Sequence, residues 1–287
     1  MRPRVEEILF PFDFSAQCLL AVPFVRALAL RLEAKVTVFG AVPPVWDITP
    51  VGSPILAGAD MTEWRSELQT RLDQALTDEL SGVVVDRIAV LGDPALRITE
   101  FAQTAGVDLI MMPTHGFGLF RSLLIGSTTA KVLHDAPCAV WTATHAEEQR
   151  SRPLPRRILC ALDGTAGNAA LLQRVAAFSA HLGASLRLLH VVRPITDWPS
   201  LERERVLQDE VRNEAHASVE SIRKAAGVDA PLRVAVGEIV ATVAEEARQD
   251  ETDLIVIGRG SVASTLGRLR THAYGIIQRS PCPVLSI

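Results

Sequence analysis

The feature that most constrains the fold of this chain is an internal repeat. Four short blocks recur in the same order in the two halves. They pair Ile8–Asp13 with Ile158–Asp163, Val36–Pro44 with Leu186–Pro194, Asp108–Met112 with Asp253–Ile257, and Ala136–Trp141 with Ser280–Leu285. A shared order of matching blocks indicates that one structural unit has been duplicated.

The repeat divides the 287 residues into two domains of ordinary size. Between the copies, residues 144–157 are polar and charged and contain Pro153 and Pro155, a composition typical of a linker. We therefore predict a first domain over residues 1–146, a linker over 147–155 and a second domain over 156–287.

Each copy alternates short apolar runs with longer amphipathic ones. In the first copy the predicted strands cover residues 7–12, 36–41, 84–90, 109–112 and 138–143, and the predicted helices cover 16–32, 61–80, 94–105 and 127–135. The apolar runs are continuous, as expected for parallel strands that are buried on both faces. The pattern predicts an α/β fold with two tandem doubly wound domains, each a five-stranded, mainly parallel sheet flanked by helices.

Composition and charge narrow the classes of function. The net charge of −4 does not favour an electrostatic nucleic-acid binder. The longest uncharged apolar stretch, Cys18–Val25, is too short to span a bilayer, and Glu6 and Glu7 interrupt any signal-peptide pattern. We expect a soluble, cytoplasmic protein without nucleic-acid or membrane partners. The four cysteines form no C-x-x-C pair and the seven histidines show no metal-ligand spacing, so no metal site is expected.

A glycine-rich segment, Thr114–Thr128, is the strongest candidate for a binding loop. It follows the apolar strand at Leu109–Met112 and ends where a helix begins at Ser127. Glycines let the backbone approach a ligand, and the N–H groups at a helix N-terminus suit a phosphate. We expect Ser127 to be the N-cap, with the amides of Ser127 and Thr128 facing an anion. The alternative is a capped helix preceded by a simple turn.

Two further residues lie at predicted strand ends. The carboxylate of Asp13 can accept hydrogen bonds from ribose hydroxyls or an adenine amino group, or it can cap the helix that begins near Ser15. Ala41 offers a small apolar surface to a base. His115 has no carboxylate or nucleophile at a triad spacing, so a loop histidine near a ligand or backbone is the better interpretation. No G-x-x-x-x-G-K-[ST] motif occurs, and no catalytic residue is assigned.

These residues, in this order, resemble the universal stress protein family, as a tandem two-domain member. The resemblance spans nearly the whole chain and is carried by the blocks Ile8–Ser15, Gly92–Pro94, Asp108–Gly116 and Leu124–Val140. It implies a fold of the adenine-nucleotide alpha-hydrolase type. The ATP-binding signature of the family, G-x2-G-x9-G-[ST], is met at Gly116, Gly126 and Ser127, whereas its first glycine is Pro113 here.

The resemblance implies an ATP site in the first domain. Asp13 and Ala41 would contact the adenosine part, with Met112 and His115 nearby, and Gly116, Gly126, Ser127 and Thr128 would line the ribose and phosphates. Pro11 and Pro113 complete the set of expected binding positions. Pro113 has no N–H, so any contact through that amide is lost, whereas a contact through its carbonyl can survive.

The second copy departs further from the signature. Gly258 keeps the first glycine, but Ser261 stands at the second position and Arg270 replaces Gly126. We therefore expect ATP in the first domain only. By the resemblance, the final strands near residues 138–143 and 283–287 would pair the two domains as an intrachain pseudo-dimer, and a homodimer is left open.

The leading hypothesis is an ATP-binding stress-response protein that holds nucleotide, with or without Mg²⁺, and regulates rather than catalyses. One alternative is a scaffold or interaction module that has lost nucleotide binding. The other is a slow ATPase, which has no evident general base to support it.

Overall fold

The computed structural model describes residues 5–42, 61–114, 125–143, 153–165, 167–195, 201–259 and 271–287. The chain divides into two compact units, Met1–Glu147 and Glu148–Ile287. The first unit contains strands β1 (Glu7–Pro11), β2 (Lys35–Val42), β3 (Val85–Leu91), β4 (Leu109–Pro113) and β5 (Ala139–Ala143), and helices α1 (Ala16–Leu32), α2 (Met61–Gln74), α3 (Pro94–Thr104) and α4 (Ser127–Asp135). The second contains strands β6 (Arg157–Leu162), β7 (Ser185–Val192), β8 (Leu232–Val236), β9 (Leu254–Ile257) and β10 (Val284–Ser286), and helices α5 (Asn168–Leu182), α6 (Leu201–Ala225), α7 (Ile239–Gln249) and α8 (Thr271–Arg279).

The first unit is built on a parallel sheet with the strand order β3-β2-β1-β4-β5. Its central strand β1 is apolar from Ile8 to Pro11, and Ile8, Leu9 and Phe10 are fully buried. Helix α1 packs against β1, β2 and β4, while α3 packs against β2 and α4. A strand covered on both faces cannot alternate polar with apolar residues, which explains the continuous hydrophobic runs of the sequence.

The second unit repeats this topology as β8-β7-β6-β9-β10, again with parallel pairing. The register is also repeated. Ile8 pairs with Leu109 in the first sheet, and the equivalent residues Ile158 and Leu254 pair in the second. The predicted fold class, two doubly wound α/β domains with five-stranded sheets, is confirmed.

In each domain one aspartate, located directly before β4 or β9, accepts hydrogen bonds from the backbone at the start of the central strand. Oδ2 of Asp108 accepts hydrogen bonds from the amides of Glu6 and Glu7 at 2.9 and 3.2 Å. Oδ2 of Asp253 accepts from Arg156 and Arg157 at 2.9 and 2.8 Å. Hydrogen bonds to a charged acceptor are stronger than neutral ones, so this contact helps to set the register of the two central strands.

Comparison of the predicted and observed helix bounds shows which helix ends the local sequence predicts correctly. Helices α1 and α4 begin and end at the predicted residues, 16–32 and 127–135. The prediction of a helix over 61–80 is wrong at its end, because α2 stops at Gln74. A series of turns follows, with Leu76 in the left-handed region at φ 57°, and Leu76 and Leu80 are buried. The chain leaves the helix here although its helical periodicity continues, because the turns bury these two leucines.

Helix α3 has a charged N-cap. Oδ1 of Asp93 accepts from the Leu96 amide at 3.0 Å, and Oδ2 lies 3.2 Å from Nζ of Lys131 on α4. The hydrogen bond from Leu96, helped by Lys131, lowers the pKa of Asp93. In the second domain Glu238 caps α7 in the same way, accepting from Val240 and Ala241, and its pKa is also lowered.

We expect Asp108→Ala to lower the free energy of unfolding of the first domain by about 3 kcal/mol, because two amides lose a charged acceptor at a buried position. Urea titration followed by circular dichroism measures this. Asp253→Ala should have a comparable effect on the second domain. Asp78→Ala, at an exposed aspartate in the turns after α2, is the control and should change stability little. Equal effects of D108A and D78A would contradict the role given to Asp108.

Asp93→Asn should cost about 0.5 kcal/mol at neutral pH, since asparagine still caps α3 but carries no charge. The folded pKa of Asp93 is depressed, so its contribution is present above the unfolded pKa of about 3.9 and is lost as the pH falls through the folded value. The urea midpoints of wild type and D93N should therefore differ at pH 7 and converge in acid. A pH-independent difference would show that the charge is irrelevant.

Candidate functional site

The predicted site residues of the first domain gather at the carboxyl edge of its sheet. Because β1 lies between β2 and β4, the ends of these three parallel strands are neighbours. Pro11 ends β1, Ala41 lies near the end of β2, and Met112 and Pro113 end β4. Asp13 follows β1 by two residues. This edge is where doubly wound sheets bind ligands.

The turn after β1 presents Asp13 to solvent. Oδ1 of Asp13 accepts from the amide of Ser15 at 2.9 Å, and Oγ of Ser15 accepts from the amide of Cys18 at 3.2 Å. Ser15 is therefore the N-cap of α1, and Asp13 closes the preceding turn rather than capping the helix. Phe14 between them has φ 62°, and its ring contacts Phe12 and the guanidinium of Arg71.

Two prolines shorten the ladder between β1 and β4. The amide of Phe12 donates to Phe39 on β2, so the nitrogen of Pro11, one residue earlier, faces β4. The amide of Thr114 donates to Ala143 on β5, so the nitrogen of Pro113 faces β1 by the same alternation. Neither proline has a proton to donate. The β1–β4 pairing accordingly ends at Leu9 and Ile110, whereas the equivalent β6–β9 pairing continues to Ala161 and Ile257.

The carbonyl groups of the two prolines are engaged by side chains. The buried thiol of Cys18 donates to the Pro11 carbonyl at 3.6 Å, and burial raises the pKa of this thiol to about 12, which keeps it protonated. The hydroxyl of Thr129 donates to the Pro113 carbonyl at 3.1 Å. Sequence reasoning missed Thr129, although its place in the first turn of α4, directly after two candidate residues, was a usable signal.

The start of α4 corrects the prediction for Ser127. Gly126 is the N-cap and makes no side-chain capping bond, while Ser127 is the first helical residue and is exposed. The Gly126 amide donates to the Thr114 carbonyl at 2.9 Å, and the Gly126 carbonyl accepts from Ala130 at 2.8 Å. This link to the end of β4 moves the cap one residue upstream. The amides of Ser127 and Thr128, in the first helical turn, have no intrahelical acceptors.

At this edge the two domains combine a large and a small residue in opposite ways. Gly258 occupies the place of Pro113 in the second domain, and a Cβ added there would lie 3.2 Å from Cδ2 of Leu171. The residue of α1 equivalent to Leu171 is Ala21. The first domain thus has the larger strand residue and the smaller helix residue, and the second domain has the reverse.

Some predicted residues cannot be placed. His115 and Gly116 lie outside the described residues, as do Ser261 and Arg270 of the second copy. In the ranges that the structure does describe, no group of three or more His, Cys, Asp or Glu side chains is positioned to hold a metal ion. None of the described helices is both long and apolar enough to cross a membrane.

Comparison with known proteins identifies the repeated unit. The sequence model of the Universal stress protein family matches residues 5–143 and again residues 155–287. A universal stress protein of Thermus aquaticus is 31% identical over 139 residues, which are 46% of this chain and 94% of the relative. One from Methanocaldococcus jannaschii is 29% identical over 143 residues, 45% of this chain and 88% of the relative.

A solved structure agrees over the full length. The crystal structure of a universal stress protein from Archaeoglobus fulgidus superposes with a TM-score of 0.70 and covers 98% of this chain and 97% of its own, at 19% identity. This likeness concerns the fold. With two family matches that together span nearly all residues, the chain belongs to the universal stress protein family, with one family domain in each of its two units.

Proposed function

We propose that the first domain binds ATP and that the chain acts as a nucleotide-dependent regulatory protein. The observation that carries this proposal is the start of α4, where Gly126 is hydrogen-bonded to Thr114 directly after β4 and contributes no side chain. A helix N-terminus of this kind attracts phosphate through its N–H groups and its partial positive charge. The match of Gly126 and Ser127 to the family signature supports the same assignment.

The adenosine part is assigned to the neighbouring strand ends. The exposed carboxylate of Asp13 is oriented by the Ser15 amide and can accept hydrogen bonds from ribose hydroxyls or an adenine amino group. Ala41, half-buried on β2, offers a small surface to the base, and Met112 is buried beneath the edge. Pro11 ends β1 beside β4. His115 and Gly116 are assigned to the ligand by the family resemblance alone.

The phosphates are assigned to Gly126, Ser127 and Thr128. The exposed Ser127 hydroxyl is not used as a cap and is therefore available to a phosphate oxygen or to the coordination sphere of a phosphate-bound Mg²⁺. The proposal assigns no general base, so it describes a protein that holds nucleotide rather than one that turns it over rapidly. Restriction of ATP to the first domain, pairing of the domains through their final strands and a cytoplasmic location remain predictions.

Gly126→Arg should reduce ATP affinity at least 100-fold, because a long side chain would enter the space reserved for the phosphates. Gly126 has φ −54° and ψ 143°, which any residue can adopt, so the variant should fold normally. Titration calorimetry with Mg·ATP measures the effect, and wild type should bind about one equivalent per chain. Asp135→Arg, at the other end of α4, is the matched control. A G126R protein that keeps full affinity contradicts the proposed site, and a wild-type protein without ATP binding favours the scaffold alternative.

Pro113→Gly, which restores the family glycine, should change ATP affinity less than about threefold. The nitrogen of residue 113 faces β1 rather than the start of α4, so the missing amide proton removes no ligand contact. The same calorimetric titration tests this. A tenfold gain in affinity would show that the amide at this position contacts the nucleotide.

A further inference from the structure

The second domain contains a cavity of about 730 Å³ at the carboxyl edge of its sheet. It is lined by the ends of β6, β7 and β9 and by residues of α5, α7 and α8. This is the place in the second copy that corresponds to the proposed ATP site of the first. A volume of this size accommodates a small organic ligand.

The walls of the cavity are mainly aliphatic. Leucine, isoleucine and valine side chains enter it from strands and helices alike, and the larger ones are Leu171, Leu189, Ile239, Val243, Ile257 and Ile276. Leu171 stands where the first domain has Ala21, which makes the wall bulkier at this position than in the first domain. Such a surface favours a hydrocarbon body over a ribose and a triphosphate.

Most polar side chains that line the cavity are hydrogen-bonded to neighbouring residues. Oδ1 of Asp163 accepts from the Thr165 amide at 3.0 Å, from the Thr165 hydroxyl at 2.6 Å and from Nδ2 of Asn168 at 2.8 Å. Nδ1 of His190 lies 2.9 Å from the Leu162 carbonyl, which can only accept, so Nδ1 carries the proton.

His272, at the second position of α8, is also engaged. Its Nε2 lies 3.1 Å from the guanidinium of Arg193, which can only donate, so Nε2 accepts. The residue at this position in the first domain is Thr128, one of the proposed phosphate contacts. The second domain therefore has an imidazole bound to an arginine where the first has a small hydroxyl.

Arg174 is the exception among these polar groups. Arg174 is one of the residues that line the cavity, and its Nε donates to the Ala170 carbonyl of its own helix at 3.3 Å. No carboxylate of the described chain forms an ion pair with it. Asp163, the acidic residue among those that line the cavity, accepts hydrogen bonds from Thr165 and Asn168. A planar guanidinium with two remaining N–H₂ groups is suited to a carboxylate bound in a bidentate manner. The equivalent residue of the first domain is Phe24, so this cation is particular to the second copy.

We propose that the cavity of the second domain binds a small amphipathic carboxylic acid. The hydrocarbon body fills the aliphatic space between α5, α7 and β9, and the carboxylate pairs with Arg174 at the rim. The two copies would then have different ligands at corresponding edges, a nucleotide in the first and an organic acid in the second. This inference does not depend on ATP binding by the first domain.

Decanoate is a suitable probe, and 1-decanol is its uncharged counterpart. In titration calorimetry the full chain should bind decanoate at one site. Arg174→Gln should weaken decanoate binding about tenfold while leaving decanol binding unchanged, because only the acid uses the guanidinium. Arg212→Gln, at an exposed arginine of α6 that pairs with Asp209, is the matched control and should leave both affinities unchanged. Val243→Glu, which puts a charge into the aliphatic wall, should abolish both.

The experiments distinguish carboxylic-acid binding by the second domain from ATP binding by the first. Decanoate binding should persist in G126R and should not be displaced by ATP. The proposal is overturned if wild type shows no saturable decanoate binding, if R174Q and R212Q bind decanoate equally well, or if ATP competes with decanoate in G126R. Should V243E not fold, Val243→Ser tests the same wall, and unchanged decanol affinity in that folded variant would also overturn the proposal.

Discussion

The structure of each domain depends on the parallel pairing of its central strand with a partner on both sides. β1 lies between β2 and β4, and β6 lies between β7 and β9. This arrangement removes β1 and β6 from solvent, which requires continuous apolar residues, and it brings three strand ends to one edge. The carboxylates of Asp108 and Asp253 hold the starts of β1 and β6 in the same register. Both proposed ligand sites are formed by the residues at the opposite edge, where the strands have their carboxyl ends.

The two copies keep the same frame and differ at that edge. In the first, Pro11 and Pro113 lack the N–H groups that would extend the β1–β4 ladder. In the second, Ala161 and Gly258 permit a longer ladder, and Leu171 fills the space beside Gly258. Both copies keep the hydrogen-bonded framework, and they differ at the strand ends, where residues can change without altering the fold.

Much of the fold could be predicted because its determinants are local or repeated. Ser15 and the apolar stripe that follows define α1, and a left-handed residue ends it at Glu33. The end of α2 could not be read in this way, since Leu76 and Leu80 continue a helical pattern but lie in turns and are buried. The N-cap of α4 was misassigned for a similar reason. Serine is the better intrinsic cap, yet the hydrogen bond from Gly126 to Thr114 decides which residue takes the position.

By itself the sequence determined the duplication, the α/β class and the residues that stand at the strand ends. These follow from hydrophobic periodicity and motif spacing, which the chain carries along its length. Only the tertiary structure decided which way the nitrogens of Pro11 and Pro113 face, which groups engage their carbonyls and which polar side chains of the second domain are already paired. Those facts depend on contacts between residues far apart in sequence, and no local pattern encodes the direction of a hydrogen bond across two strands.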